Sequence, residues 1–412
     1  MRERSRPDPP RSCQNRRFCF RRRSLGVTAL LAAAGTVGCW GISPFRRRYY
    51  PRDAREAPLR STEVRDEKST AQRLLQCYST PEADPFEGRW RSCANGVEDS
   101  PANMVDWEFP TSEFGFLAKC QNIWNMQKRV EGETGRRPYW AWEPTKCSLD
   151  AVSEEKLCRV LEGRKGLLLV GDSLTRLSTT TLASILRAKS VTADMYKDDW
   201  EACGGKVKLR FMRNDVLDAR TKPRYRSLRC EESVGGALLD NTRCRIFATD
   251  ATLREFDTLV VNSGAHPRPA AEFGREMEAS AKALTSSMKR LHGEDKAILV
   301  VRNTVPGHWG CTERMFDGPV NKTIASKLVA EAPDSYEWDS FESRNVQLQK
   351  AFSPDRGWKL LDAYSPTLLR PDSHIGNNDC LHYCIPGPAD HWALLLYNIL
   401  LEKGDMFRGK GK

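Results

Sequence analysis

The chain contains the stretch Leu167-Leu168-Leu169-Val170-Gly171-Asp172-Ser173-Leu174-Thr175-Arg176 near its middle. The apolar run 167–170 has the length and composition of a buried strand, and residues 177–188 can form a helix. Ser173 is therefore predicted in the turn from strand to helix, where Gly171 relieves steric crowding. Because backbone N–H groups at the start of a helix are unpaired, this turn suits a nucleophilic serine.

Further strand-like and helix-like segments extend this pattern along the chain. Apolar runs lie at 208–212, 258–261, 297–302 and 358–361, and helix-like stretches lie between or after them, notably at 270–291 and 391–401. Strands that alternate with helices favour an α/β fold with a mostly parallel sheet covered on both faces. Catalytic residues then lie at the carboxyl ends of strands, and both Ser173 and Asn262 directly follow apolar runs.

A second motif, Asp379-Cys380-Leu381-His382, lies near the end of the chain. A serine hydroxyl is a weak nucleophile at neutral pH, and a histidine that takes its proton activates it. A carboxylate on the other ring nitrogen fixes the histidine tautomer. Asp379 and His382 are three residues apart, so one turn of chain can present both on one side. We predict Ser173 as nucleophile, His382 as general base and Asp379 as the group that orients it.

The surroundings of both motifs carry a specific family resemblance. Residues 369–374, 379–388 and 390–392 read LRPDSH, DCLHYCIPGP and DHW, and further matches lie at 139–147, at 301–311, and at Cys77 with Gly88 and Trp90. This pattern closely resembles the plant trichome birefringence-like proteins, in the PC-esterase branch of the GDSL/SGNH superfamily. The resemblance covers residues 77–401. It implies a three-layer SGNH-hydrolase-like fold and the activity of a Golgi polysaccharide O-acetyltransferase.

Some positions depart from the plant pattern. Arg176 is followed by Leu177 and Ser178 where plant members usually carry Asn and Gln, and Ser184 stands near an expected half-cystine. Residues 262–267 read NSGAHP where the plant pattern resembles NTGHWW. These changes indicate a divergent relative, and they concern the acceptor-side contacts more than the triad.

Several other polar residues are candidates for the site. SGNH enzymes place an asparagine amide in the oxyanion hole beside the N–H of the nucleophile, which suggests that role for Asn262 with Gly264. A turn formed by Asn-Ser-Gly is the alternative. Arg176 can bind substrate or pair with a structural acid. Asp372 and His374 form a second acid–histidine pair, which we expect to support the triad.

Aromatic residues offer a possible sugar contact. Trp140, Trp142 and Trp309 can stack on sugar rings or can pack in the interior. His266 and His308 are further candidates for the cleft, with no other feature of the sequence to support them.

Cysteine usage indicates an oxidising compartment. The chain has fourteen cysteines, and eleven of them lie beyond residue 76. The family resemblance implies the pairs Cys77–Cys147, Cys120–Cys384 and Cys311–Cys380, whereas the sequence does not pair Cys93, Cys158, Cys203, Cys230 or Cys244. A zinc site of Cys380, His382 and Cys384 is the rival interpretation, but its alternate-residue spacing is unlike common zinc modules, so we predict no metal.

The N-terminus predicts a membrane anchor. Residues 24–45 are uncharged, lie between two arginine triplets and are long enough to span a bilayer. More arginine precedes the span than follows it, which favours type II topology, with a cleaved signal peptide or a transit peptide as alternatives. The predicted organisation is a cytoplasmic tail at 1–23, the transmembrane anchor at 24–45, a flexible stem at 46–75, a disulfide-tied subdomain at 76–157 and the catalytic domain at 158–405. The predicted location is the Golgi membrane, with the catalytic domain in the lumen.

Charge and chemistry define the expected partners. The net charge is +11, but nine arginines fall within the first 23 residues, and no known nucleic-acid module follows, so we predict no nucleic-acid partner. The family resemblance implies a glycan acceptor and, as co-substrate, an acetyl donor such as acetyl-CoA or another acetyl carrier. No bound cofactor is expected. A carbohydrate esterase with the same triad and a catalytically weak glycan-binding protein are the alternatives.

Overall fold

Four short strands form the N-terminal part of the computed structural model, which describes residues 75–78, 84–93, 139–193, 196–219, 244–266, 269–314, 316–376 and 378–409. These strands are β1 (Leu75–Gln76), β2 (Gly88–Ser92), β3 (Trp140–Pro144) and β4 (Cys147–Ser148). Strands β2 and β3 pair antiparallel, and β1 pairs parallel with β4. A side chain at Gly88 would come within 2.4 Å of the Glu143 carbonyl oxygen, so the close pairing of β2 and β3 requires glycine.

Among the described residues, the central sheet contains seven strands. They are β5 (Gly166–Gly171), β6 (Lys189–Ala193), β7 (Lys197–Ala202), β8 (Val207–Arg213), β9 (Thr258–Val261), β10 (Ile298–Arg302) and β11 (Trp358–Leu361). Their order across the sheet is β11-β10-β9-β5-β8-β7-β6. The five strands from β11 to β8 run parallel, as the alternation of strands and helices predicted. Their carboxyl ends therefore share one edge of the sheet.

The edge hairpin of β6 and β7 was not predicted from the sequence. Both strands pair antiparallel with their neighbours, so the sheet is mixed. The sequence pattern does not predict β7, because the strand contains Asp198 and Asp199 and aspartate is depleted in strands. Asp198 is nevertheless fully buried, because a cation from another element pairs with it.

Helices cover both faces of the sheet. They are α1 (Glu154–Leu161), α2 (Ser173–Ile185), α3 (Asp250–Arg254), α4 (Ala270–His292), α5 (Lys322–Ala330), α6 (Phe341–Ala351), α7 (Tyr364–Thr367) and α8 (Pro388–Gly409). Leu167 and Leu169 join one hydrophobic cluster, whereas Leu168 and Val170 join the other, because side chains alternate between the faces of a strand. This arrangement confirms the predicted three-layer α/β fold.

The N-terminal strands pack against the C-terminal elements. The Trp90 indole donates a hydrogen bond of 2.8 Å to the Pro366 carbonyl oxygen, and the Trp90 and Trp142 rings both lie 5.7 Å from the His391 ring on α8. The Trp142 indole also donates to the Pro85 carbonyl oxygen at 2.9 Å. Trp142 therefore packs in the interior, whereas Trp309 is 37% exposed.

The predicted N-terminal segments fall largely outside the described residues. The tail at 1–23 and the anchor at 24–45 lie outside them, and so does the stem at 46–75 apart from Leu75, which begins β1. All described residues belong to one compact unit, Thr70–Lys412. Within the described part of the chain, no helix has the length and apolar character needed to cross a bilayer.

Two short antiparallel strands, β12 (His374–Gly376) and β13 (Asp379–Tyr383), carry the second sequence motif. His374 pairs with Tyr383, and Gly376 pairs with Asp379. This small sheet presents residues 379–382 beside the carboxyl edge of the central sheet.

Candidate active site

Ser173, Asp379 and His382 come together in the folded chain. The Ser173 Oγ atom lies 2.7 Å from His382 Nε2. On the other side of the ring, His382 Nδ1 lies 2.9 Å from Asp379 Oδ2 and 3.0 Å from Asp379 Oδ1. In this arrangement the hydroxyl can donate to Nε2 while the Nδ1–H donates to the carboxylate, which is the geometry needed for an activated serine.

The turn before α2 positions Ser173. The Asp172 carboxylate caps the helix by accepting from the backbone N–H groups of Leu174 at 3.0 Å and Thr175 at 3.3 Å. A Cβ atom at Gly171 would lie 2.3 Å from Thr175 Oγ1 and 2.9 Å from the Asn262 carbonyl oxygen, so the turn requires glycine there. Ser173 is the first residue of the helix, so its N–H has no acceptor within the helix and can donate to the oxyanion of an acyl group that is attacked by Oγ.

Asp379 is held as a carboxylate. Burial by itself raises the pKa of Asp379, but the hydrogen bond and charge of His382 and the backbone N–H groups of Leu381 and His382 outweigh it, and the pKa falls to about 2. Those N–H groups donate to Asp379 Oδ1 at 3.3 Å and 3.0 Å. The same contacts fix the orientation of the carboxylate toward the His382 ring.

Disulfide bonds hold the segment that carries His382. The structure contains the bonds Cys77–Cys147 and Cys311–Cys380, both of which the family resemblance implied. Cys384 is also disulfide-bonded, while its expected partner Cys120 lies outside the described residues.

Two further findings concern the cysteines. A Cys158–Cys203 bond joins two residues that the sequence did not pair. The rival zinc site is contradicted, because Cys380 and Cys384 are bonded as disulfides and supply no thiolate. Over the described ranges, no group of three or more His, Cys, Asp or Glu side chains is arranged to hold a metal ion.

A buried histidine pair, His308 and His374, lies behind His382. His374 Nδ1 lies 3.1 Å from the His382 carbonyl oxygen, and His374 Nε2 lies 2.7 Å from His308 Nδ1. His308 Nε2 lies 2.8 Å from the Leu368 carbonyl oxygen. The chain of contacts therefore ties the backbone of His382 to the interior of the protein.

The expected Asp372–His374 pair is replaced by other contacts. Both oxygens of Asp372 accept from the Arg370 guanidinium at 2.8 Å, because that buried carboxylate needs a buried cation. His374 instead takes the imidazole of His308 as its partner. His374 thus supports the segment of His382, and Asp372 belongs to a separate ion pair.

The structure contradicts the oxyanion role for the Asn262 side chain. Its amide nitrogen donates to the Arg302 carbonyl oxygen at 2.9 Å and to Thr304 Oγ1 at 3.1 Å, which engages both amide hydrogens. Asn262 is fully buried, and its oxygen accepts from Thr175 Oγ1 at 3.2 Å. Asn262 therefore joins three elements beneath the site.

Gly264 lies in a loop that leaves little room for a side chain. Its φ angle is +137°, and a Cβ atom there would lie 2.9 Å from Thr304 Oγ1. Its carbonyl oxygen accepts from Arg344 at 3.1 Å. The close approach of this loop to Thr304 therefore requires glycine, and its predicted oxyanion role stays a prediction.

Arg176 pairs with a structural acid, which was one of its two alternatives. Its Nε and Nη2 atoms lie 2.7 Å and 3.0 Å from the two carboxylate oxygens of Asp198 on β7. Both side chains are buried, so the bidentate ion pair fastens α2 to the edge hairpin. The guanidinium is thereby drawn toward the sheet.

The sequence pattern did not indicate two features near the site. Arg302 ends the apolar strand β10 and is fully buried, where it donates to Thr175 Oγ1 at 3.2 Å and lies 5.2 Å from the Trp392 ring. Burial lowers the pKa of Arg302 to about 10, and the charge of Asp172 acts in the opposite direction. A charged residue at the end of an apolar run was the signal available in the sequence.

The second missed feature is an ion pair at the end of β8. Asp215 Oδ2 lies 3.0 Å from His266 Nε2, and Asp215 Oδ1 accepts from Arg213 Nε at 2.8 Å. Burial raises the pKa of Asp215, but His266 and Arg213 outweigh it and lower that pKa below its ordinary value. His266 follows β9 and thus lies at the carboxyl edge of the sheet.

The C-terminal third of the chain matches a known protein family. The family model for PC-esterases, described as a GDSL/SGNH-like acyl-esterase family found in Pmr5 and Cas1p, matches residues 269–399. The matched part includes Asp379 and His382. Together with the α/β fold, this match supports a relationship to the PC-esterases.

The chain is also similar to individual proteins along most of its length. The chain is 24% identical to Protein trichome birefringence-like 25 of Arabidopsis thaliana over 342 residues, which cover 69% of this chain and 73% of the relative. It is 22% identical to Xyloglucan O-acetyltransferase 1 of the same plant, over 64% of this chain and 70% of the relative. It is 25% identical to Protein trichome birefringence-like 42 of Arabidopsis thaliana, over 77% of this chain and 89% of the relative. These similarities support the divergent relationship to the trichome birefringence-like family that the motifs predicted.

Proposed function

We propose that this protein is an O-acetyltransferase that moves an acetyl group from a donor to polysaccharide hydroxyls through an acetyl-serine intermediate. The observation that carries the proposal is the 2.7 Å contact between Ser173 Oγ and His382 Nε2. Relatives named xyloglucan O-acetyltransferase support the reaction and the glycan acceptor.

In the first half of the reaction, Ser173 Oγ attacks the carbonyl carbon of the acetyl donor while His382 Nε2 takes the hydroxyl proton. Asp379 stabilises the imidazolium that forms. The negative charge that develops on the carbonyl oxygen faces the N–H of Ser173 at the start of α2. Collapse of the tetrahedral intermediate breaks the bond to the carrier, which leaves with the proton from His382. The enzyme then holds an acetyl ester on Ser173.

In the second half, a sugar hydroxyl takes the place of the carrier. His382 removes the proton of this hydroxyl as its oxygen attacks the acetyl ester, and the proton returns to Ser173 Oγ when the ester bond breaks. The products are an acetylated sugar and the free serine. The donor we propose is acetyl-CoA or another acetyl carrier.

Hydrolysis is the second candidate function. The matching family model is described as an acyl-esterase family, which favours it. The same residues would perform it, with water in place of the sugar hydroxyl in the second half. Transfer and hydrolysis therefore differ in the acceptor and not in the triad.

We also propose that the protein is a type II Golgi membrane protein with its body in the lumen. The support is the uncharged stretch 24–45 between arginine triplets. The disulfides Cys77–Cys147, Cys158–Cys203 and Cys311–Cys380 also support an oxidising compartment.

The test incubates the full-length protein with acetyl-CoA and a panel of plant oligosaccharides, and mass spectrometry scores the gain of acetyl groups. A parallel incubation with acetylated oligosaccharides and no donor scores their loss. Ser173→Ala should abolish either activity. The matched control is Ser178→Ala, a change of the same size on the same helix. Equal rates for wild type and Ser173→Ala would refute the proposal.

A further inference from the structure

A cavity of about 550 Å³ borders the segment that carries Asp379. We call it the aromatic cavity, and it is lined by Trp309, Gly310, Glu313, Arg314, Tyr336, Trp338, Asn378 and Cys380. Its volume is in the range of sites that bind small molecules. Asn378 and Cys380 are the residues on either side of Asp379, so the cavity adjoins the proposed catalytic segment.

The wall of the aromatic cavity presents aromatic rings to solvent. Trp309 is 37% exposed and Tyr336 is 43% exposed, whereas Trp338 is buried at 4%. The ring centroids of Trp309 and Tyr336 lie 5.8 Å apart, and those of Tyr336 and Trp338 lie 4.9 Å apart. The buried Trp338 ring therefore packs against Tyr336, which in turn packs against Trp309. Exposed aromatic rings in a concave surface are typical of a binding site.

The position of this wall is set rigidly against the triad. The Cys311–Cys380 bond joins the loop of Trp309 to β13, and the His308 N–H donates to the Cys380 carbonyl oxygen at 3.0 Å. A Cβ atom at Gly307 would lie 2.5 Å from the Trp338 ring, so the loop packs closely on that anchor. A molecule held by Trp309 would thus have a defined place relative to His382.

Charge in the aromatic cavity favours a neutral ligand. The lining contains one acidic residue, Glu313, and one basic residue, Arg314, and Arg314 already forms an ion pair with Glu331. Asn378 adds an exposed amide that can donate to and accept from hydroxyl groups. Apolar ring faces beside such polar groups match a pyranose, which has a C–H face and a rim of hydroxyls.

We infer that the aromatic cavity binds neutral sugar units of the acceptor polysaccharide, away from the hydroxyl that receives the acetyl group. This inference rests on the proposed function, because it deepens the acceptor side of the same site. Stacking on Trp309 and Tyr336 would hold the polysaccharide. The disulfide-linked wall would set the distance between the bound sugars and His382.

Binding can be tested without catalysis. The full-length Ser173→Ala protein is titrated with neutral xyloglucan oligosaccharides, and affinity is measured by calorimetry. Adding Trp309→Ala or Tyr336→Ala should weaken binding about tenfold, the size expected for loss of one aromatic contact. Trp309→Phe should restore most of the affinity because it keeps a ring. The matched control is Ile324→Ala, which removes another exposed apolar side chain outside the cavity.

The outcomes separate this inference from the proposed function. Unchanged oligosaccharide affinity in both Trp309→Ala and Tyr336→Ala, with melting temperatures as in the parent, would overturn the inference even if acetyl transfer occurs. Equal or tighter binding of acidic oligogalacturonides would overturn the assignment to neutral sugars. Failure of the wild type to transfer or remove acetyl groups would refute the proposed function, whereas Trp309-dependent binding would still support the sugar site.

Discussion

His308 Nδ1 lies 2.7 Å from His374 Nε2, while the outer nitrogens of this histidine pair face the carbonyl oxygens of Leu368 and His382. Carbonyl oxygens only accept, so both outer nitrogens need a hydrogen. Two neutral rings carry two hydrogens, which leaves none for the contact between the rings. A complete set of hydrogen bonds therefore requires one extra proton on the pair.

Burial opposes that extra proton. It lowers the pKa of His308 to about 4, against smaller opposing effects of the Leu368 carbonyl and Asp372. Burial and the neighbouring His308 also lower the pKa of His374 well below its ordinary value, against the His382 carbonyl and Asp379. Desolvation dominates because both rings are fully buried. Near neutral pH the pair is therefore uncharged, and one of its three contacts lacks a hydrogen.

We predict that His374→Leu lowers kcat by about tenfold or more, because the His382 backbone loses its contact with the histidine pair and catalytic geometry tolerates little displacement. His374→Asn should retain more activity, since its amide can replace the Nδ1–H. The KM for the acceptor should change much less than kcat. Steady-state kinetics with both variants checks this, and a wild-type kcat in a folded His374→Leu protein would contradict it.

Acidification should destabilise the fold through its buried neutral histidines. Burial lowers the pKa of His391 to about 3 and that of His308 to about 4, whereas an unfolded histidine has a pKa of about 6.5. Between these values the unfolded chain binds more protons, so the free energy of unfolding falls as the pH drops. From pH 7 to pH 5 the loss should be about 2 kcal/mol for each such histidine.

His391 offers a clean test of that pH dependence. Its ring nitrogens find no hydrogen-bond partner among the described residues, and its ring packs against Trp90 and Trp142. His391→Phe should therefore flatten the decline of stability between pH 7 and pH 5, as measured by urea unfolding. An unaltered pH slope in this variant would show that the imidazole is not buried in its neutral form.

Asp379→Asn should reduce kcat by about ten-thousandfold while leaving a small residual rate, because the amide stabilises the wrong tautomer of His382. The low pKa of Asp379, about 2, means that its carboxylate remains charged throughout the working pH range. The rate of acetyl transfer in single-turnover experiments checks this prediction. Full activity of the variant would remove Asp379 from the triad.

The Cys311–Cys380 bond should matter for turnover more than a bond outside this segment. We expect the double variant Cys311→Ser and Cys380→Ser to have a lower kcat although it still unfolds cooperatively. The reason is that the segment of His382 loses an anchor. The matched control removes Cys158–Cys203, which joins α1 to the turn after β7 and should chiefly lower stability. Comparable kcat losses in the two double variants would contradict a special role for Cys311–Cys380.

The proposed luminal location predicts glycosylation at Asn321, within the sequon Asn321-Lys322-Thr323. Asn321 is exposed at the start of α5, and its Oδ1 atom accepts from the Ile324 N–H at 3.0 Å, which leaves the amide nitrogen for the glycan. Asn321→Gln and Thr323→Ala should each abolish an endoglycosidase-sensitive shift in mobility. Digestion of the body by protease added outside sealed microsomes would refute the luminal location.

Short-range patterns were sufficient for the strand, the turn and the helix around Ser173. The apolar run before Gly171 forms β5 because its side chains enter the two hydrophobic layers alternately. Likewise, Asp379 and His382 meet through local contacts, because the Asp379 carboxylate folds back to accept from the backbone N–H groups of Leu381 and His382. Features of this kind depend on neighbours in sequence, so periodicity and spacing predict them.

The partners of the buried polar groups depended on the tertiary structure alone. Arg176 pairs with Asp198, His374 with His308, and the Asn262 amide with Arg302 and Thr304. Each buried donor must find an acceptor wherever the fold brings one close, because an unpaired buried polar group is costly. The partner can be far away in the sequence, and only the packing of the sheet and helices decides which residue comes close. Local spacing in the sequence therefore does not predict it.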